Sequence, residues 1–238
     1  ADSATDNIFI GYRAGYGDWS DAACIRNVVI GSGAMNGDVN GVDNMVAIGY
    51  GALGAGNLTT DANGTVAIGY LAAQNLSTGQ RNTVLGYQAF NTATELDANV
   101  AIGYQALFAA SSSASDTGNV AIGYQAGTAI TTGKHNTLVG RTAGGQSTTA
   151  DELTYMGYFA GWNTRSGSSN TFIGAHSGYS FQNASQPRNT YLGAYSGYHN
   201  VIGSSNVYLG YSAGYGSSGN SNSNNTGVGH QALLSMTS

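Results

Sequence analysis

Charge is the first thing this sequence lacks. Only 8% of its 238 residues are charged, and seven Lys and Arg against twelve Asp and Glu leave a formal net charge of −5. So few scattered cations make no basic stripe, which excludes nucleic acid as a partner. Glu95 and Glu152 are the only glutamates. Hydrolysis of a glycan needs two carboxylates at one place. Only loop pairs such as Asp151 with Glu152 offer them, and adjacent acids of this kind form a solvated turn. The four histidines (His135, His176, His199, His230) have no Cys or carboxylate at ligand spacing, so neither metal nor cofactor is expected. Serine is too abundant for any one near a His to signal a catalytic set. These absences point away from an enzyme. Cys24 stands alone, so no intrachain disulfide forms. Pro187 is the single proline and falls in a connection, as suits a residue without a ladder donor. No apolar run reaches the length of a membrane-crossing helix.

What the chain has instead is repetition. The stretch Asn119-Val120-Ala121-Ile122-Gly123-Tyr124-Gln125-Ala126 returns almost unchanged at 99–106 and, with substitutions, from one end to the other. Its glycine recurs as Gly11, Gly31, Gly49, Gly69, Gly86, Gly103, Gly123, Gly140, Gly157, Gly174, Gly193, Gly210 and Gly229, in steps of 17 to 20 residues. A period of this size means one short supersecondary unit stacked many times, with one coil per repeat. Phased columns of this kind also exclude disorder, which the low charge and many glycines would otherwise suggest.

With the anchor glycine numbered zero, position −3 is always β-branched and position −1 is always Ile, Leu, Val or Met. Such residues two apart predict a strand of about five residues with one buried face. Position −2, on the opposite face, holds Phe9, Val29, Ala47, Ala67, Val84, Ala101, Ala121, Leu138, Tyr155, Phe172, Tyr191, Tyr208 and Gly227, with no charge in thirteen coils. A strand apolar on both faces is buried on both. The reading is that −3 and −1 pack inside the coil, while −2 packs against partner copies of the same chain. The zero column predicts a coil turn that a β-carbon would obstruct. Position +3 is always Ala or Ser, which marks tight packing. Asn fills −4 in ten coils. It suits an Asx turn before the strand or an amide ladder along the stack.

Four of the six 17-residue coils carry a second glycine at +10 (Gly79, Gly133, Gly167, Gly203). The coil is therefore read as strand, glycine bend, second strand, glycine turn, with Val201-Ile202 in such a second strand. Longer coils carry their extra residues in that half, as loops on one side of the stack. Asp38-Val39-Asn40-Gly41-Val42-Asp43 and Asp61-Ala62-Asn63-Gly64 look like calcium loops, but the glycine of the former is misplaced for one; Asx turns explain both. Tyr50, Tyr70, Tyr87, Tyr104 and Tyr124 follow one another at +1. Stacked coils would set them ~4.8 Å apart, as a packing ladder or as an aromatic strip for sugar rings. From residue 155 onward −2 and +5 both turn aromatic, the latter through Trp162, Tyr179, Tyr198 and Tyr215.

The Asn-Val-Ala-Ile-Gly core with a small residue three places on resembles the head repeat of trimeric autotransporter adhesins of the YadA type. It resembles still more the Asn-Thr-x-Ile-Gly-Tyr-Gln-Ala repeats of tail-fibre-like proteins from phages and bacteria. The resemblance covers about residues 7–234 and implies a left-handed parallel β-roll assembled as a homotrimer. These repeats are longer than the usual adhesin head repeat and richer in Tyr at +1, so only fold and assembly are carried over. The sequence thus predicts an all-β solenoid of about thirteen coils at 7–234, with a lead-in at 1–6 and a tail at 235–238. The expected function is that of a non-enzymatic structural fibre outside the cell, on a cell-surface appendage or virion tail, with itself as principal partner. Near-uniform coils present similar edges above and below, so head-to-tail stacking into filaments is also expected. The alternative is a head that binds a surface glycan or receptor through its side loops or the Tyr strip.

Overall fold

The computed structural model describes residues 5–19, 24–59, 62–111, 116–182, 187–219 and 221–236. Asp61 and residues 1–4 of the lead-in lie outside them. The chain is an all-β parallel solenoid with thirteen strands, and the described residues contain no α-helix. It divides into two compact units, 1–119 and 120–238.

The first unit holds β1 (Ile8–Ile10), β2 (Val28–Ile30), β3 (Val46–Ile48), β4 (Val66–Ile68), β5 (Thr83–Leu85) and β6 (Val100–Ile102). Each pairs in parallel with the next in sequence order. The second unit holds β7 (Val120–Ile122), β8 (Thr137–Val139), β9 (Thr154–Met156), β10 (Thr171–Ile173), β11 (Thr190–Leu192), β12 (Val207–Leu209) and β13 (Thr226–Val228), paired in the same way. Register keeps the repeat in phase: Val66, Ala67 and Ile68 lie opposite Thr83, Val84 and Leu85. Each column of the sequence is therefore a row of neighbouring side chains.

Two expectations are corrected. The coil has one strand, of three residues, and its second half is built from turns; Val201-Ile202 lies in a bend. The turn that follows the anchor glycine is set by backbone handedness. Every residue at +2 and +4 has positive φ, for example Gln88 (50°) and Phe90 (53°). That alternation curls the chain while leaving its amides aimed along the stack: Gln88 N–H donates to Tyr70 O (2.8 Å) and Phe90 N–H to Ala106 O (2.9 Å). The backbone is thus satisfied between coils without an extended strand. Position −5 is also left-handed in every coil, as at Arg81 (φ 57°) and Ala98 (φ 57°).

The second correction concerns the faces of the strand. Val29, Ala47, Ala67, Val84, Ala101, Ala121, Leu138, Tyr155, Phe172, Tyr191 and Tyr208 have no exposed surface in the single chain. They point into their own coil, where a partner copy cannot reach them. Phe9, in the first coil, keeps 44% of its surface and packs edge-on against Trp19. The outward faces are −3 and −1. Inside the coil, −2 is matched by +4. Where −2 is large, +4 is glycine: a β-carbon on Gly144 would stand 2.9 Å from Leu138, and one on Gly161 would strike the Tyr155 ring. In most coils where −2 is small, +4 is larger, as Val29 with Met35, Val84 with Phe90 and Ala101 with Leu107, all buried. Ala67 with Ala73 and Ala121 with Gly127 are pairs of small residues, and buried Leu76 and Ile130 lie in those coils. This complementarity fills most coils in the close-packed manner of protein interiors.

The zero-column glycines run at φ 123–145°. Successive ones nearly touch: a β-carbon on Gly157 would lie 2.6 Å from the Gly174 carbonyl oxygen. The −4 asparagines form an amide ladder between coils. Asn82 Nδ2 donates to Leu96 O (2.7 Å) while its Oδ1 accepts from Asn99 N–H (2.9 Å). Asn189 does the same toward Gly203 O (2.8 Å) and Asn206 N–H (2.9 Å). The aspartates of the loops also bond across coils: Asp43 Oδ1 accepts from Ile25 N–H (2.9 Å) and Asp97 Oδ1 from Gln80 N–H (2.9 Å).

Candidate functional site

The surfaces that could act are three rows of side chains set by the repeat. The first is the outer face of the strands. Its −3 and −1 residues are apolar or Thr throughout and only partly covered; Ile10, Leu85 and Leu192 keep 57%, 45% and 45% of their surface. Within each unit this makes a charge-free strip two residues wide. A continuous exposed apolar strip marks an interaction face.

The second row is the +1 column. Tyr50, Tyr70, Tyr87 and Tyr104 stack face to face, with centroids 5.3, 4.8 and 5.4 Å apart and planes within 11°. Each ring therefore covers its neighbour's face and turns an edge and a hydroxyl outward. Tyr124 belongs to the second unit, where the Arg141 guanidinium lies 5.3 Å from its ring centroid and 5.8 Å from that of Tyr158. Arg141 takes the place of a tyrosine with a planar cation, a favourable cation–π arrangement.

The third row lies in the second unit. Trp162, Tyr179, Tyr198 and Tyr215, at +5, stack at 5.2, 5.1 and 5.2 Å. Beside them Phe159, His176 and Tyr195, at +2, stack at 5.7 and 5.2 Å. The sequence showed the +5 ladder, but not that +2 would stand next to it; the left-handed residue between them folds the two columns onto one side. Burial lowers the pKa of His176 and His199 below the usual imidazole value. Within the coil Tyr155 donates to Thr164 Oγ1 (3.0 Å), and Asn200 Nδ2 donates to Tyr191 Oη (2.9 Å). Desolvation pushes all three buried phenols up: Tyr155 and Tyr191 far above the ordinary value and Tyr208 up to about 12.

Among the described residues no group of His, Cys, Asp or Glu is placed to hold a metal ion. Cys24 is buried, with its Sγ 4.0 Å from the Val39 carbonyl oxygen. Fold and surfaces together define a parallel β-solenoid with an apolar outer strip and aromatic ladders. Compared with protein-family models, curated proteins and solved structures, the chain finds no match.

Proposed function

We propose that this protein is a non-enzymatic structural module of an extracellular fibre, of the cell-surface adhesin or virion-tail kind, whose copies pack through the outer −3/−1 strip. The observation behind this reading is the strip itself: apolar at −1 along both units, β-branched at −3, free of charge and partly exposed in the single chain. Covering it removes apolar surface from water at about 25 cal/mol per Å². The homotrimer is the assembly that the resemblance of the Asn-Val-Ala-Ile-Gly repeats implies. Light scattering on the purified chain tests it. Three chains per particle are expected, and Leu85→Lys with Ile102→Lys should release folded monomers, because both residues face outward. A stable folded monomer of the unaltered protein would overturn the reading. Sugar binding along the whole Tyr strip is disfavoured, because a sugar stacks on an open ring face and the ladder covers these.

A further inference from the structure

The +1 ladder has rungs without tyrosine at Ser32, Arg141, Ala175 and Ala194 within the stretch from Tyr12 to Tyr211. The last three are made good by the protein. Arg141 places its guanidinium between Tyr124 and Tyr158. At Ala175 and Ala194 the neighbouring +2 rings lean in: His176 meets Tyr158 edge-on at 5.2 Å and Tyr195 meets Tyr211 at 6.0 Å. Ser32 is different. Its +2 neighbour is Gly33, where an added β-carbon would meet nothing within 4 Å, and the next coil carries Gly51 at the same place. The coils remain in register here, since Gly33 N–H donates to Tyr12 O (2.9 Å) and Gly51 N–H to Ser32 O (3.0 Å). The result is a cavity of about 240 Å³ lined by Tyr12 and Tyr50 and reaching Leu71 and Gln74 of the following coil. Tyr50 has its far face against Tyr70, so its near face looks into the cavity.

We propose that this missing rung is a binding site for one pyranose ring of a glycan, stacked on the open face of Tyr50. The site lies wholly within the first unit and stands independently of the fibre assembly. Its size fits one ring, being below the range of about 300–1,000 Å³ typical of drug-sized ligands. Tyr12 and Tyr50 are two coils apart, ~9.6 Å at the usual strand spacing, so one ring thickness fits between them. The polar lining matches a sugar's hydroxyl edge better than a flat apolar ring. Asn36 lines the space, and its Oδ1 has no hydrogen-bond partner among the described residues. Ser32 and Gln74 line the same space, as does Arg13, a donor whose guanidinium lies 5.4 Å from the Tyr12 centroid and 5.0 Å from that of Tyr16. Asp18 and Asp38 lie beside Arg13 in the adjoining hollow. They offset its charge, which favours a neutral hexose over an acidic one.

Saturation-transfer NMR on the full chain tests the site, with methyl glucoside, methyl galactoside and N-acetylglucosamine as probes and phenol and guanidinium as controls. At least one sugar should take up saturation from tyrosine protons, with millimolar affinity. Ser32→Tyr restores the ladder found in neighbouring coils and should weaken binding at least tenfold with the melting temperature unchanged. Gly33→Gln supplies the same check by a second route, since Gln88 and Gln105 occupy this column at φ 50°. No sugar signal at tens of millimolar, equal binding by both filled variants, or binding of phenol or guanidinium in preference to every sugar would each overturn the proposal.

Discussion

At the scale of single residues, the stack depends on side chains that act as both donor and acceptor between coils. Asn82 is buried and bonded in both directions. Asn82→Asp keeps the acceptor but turns a carboxylate oxygen toward the Leu96 carbonyl, so about 3–5 kcal/mol of stability should be lost at pH 7. The buried acid has a folded pKa above its unfolded value. The variant should therefore be closest to wild type below the ordinary Asp pKa and lose stability as pH rises. Denaturant melts at pH 4 and pH 7 measure this. Left-handed positions make a second test. Arg81 is exposed at φ 57°, in a column where Gly64 and Gly118 also occur. Arg81→Gly should be neutral or slightly stabilising, while Arg81→Val should be less stable than the Gly variant by about 1–2 kcal/mol. Equal melting points for the two variants would contradict the role assigned to backbone handedness.

At the scale of the element, a coil is a closed ring whose filling is shared between −2 and +4. Tyr155 lies over Gly161 so closely that no β-carbon fits. Gly161→Leu alone should prevent the ninth coil from closing, and Tyr155→Ala alone should cost about 3–5 kcal/mol through the cavity it leaves. Made together they reproduce the Ala101–Leu107 arrangement, with Leu107 at φ 48° showing that leucine accepts this backbone. The double variant should recover at least 2 kcal/mol relative to the sum of the single changes, within the range of coupling for residues in contact. Additive losses would show that the two positions do not share one space.

At the scale of the molecule, the second unit carries a column of buried phenols that water does not reach. Burial raises the Tyr155, Tyr191 and Tyr208 pKa values above the ordinary tyrosine value of about 10. A raised folded pKa means the folded state holds the proton longer than the unfolded chain. The stability from these groups is therefore complete below pH about 10 and is lost as pH rises through the folded values, about 12 for Tyr208. Alkaline titration followed by tyrosinate absorbance and circular dichroism should show the exposed tyrosines ionising first. The buried ones should ionise only as the fold is lost. Ionisation of all sixteen tyrosines near pH 10 with the fold intact would refute this burial.

What the sequence determined by itself is the phase of the stack. Thirteen glycines with the same neighbours on either side allow one parallel, in-register pairing, because any slip would set Asn against Val and Gly against Tyr. It also revealed the ladder from Tyr50 to Tyr104 and the amide row at −4. What only the tertiary structure decided is which strand face looks inward. A period of two separates the faces without ranking them, and here both are apolar: Val100 and Ile102 on one side, Ala101 on the other. The ranking comes from volume. Position −2 meets +4 across the glycine bend, and the reciprocal sizes of Tyr155 with Gly161 and Ala101 with Leu107 are visible in the letters only once the path of that bend is known. The second half of the coil was illegible for a related reason. Its β-branched and apolar residues read as a strand, but among the described residues they form only isolated bridges between coils there, such as Val39 with Leu58. The open rung at Ser32 likewise depends on four small residues, Ser32, Gly33, Gly51 and Gly54, from two coils facing one space.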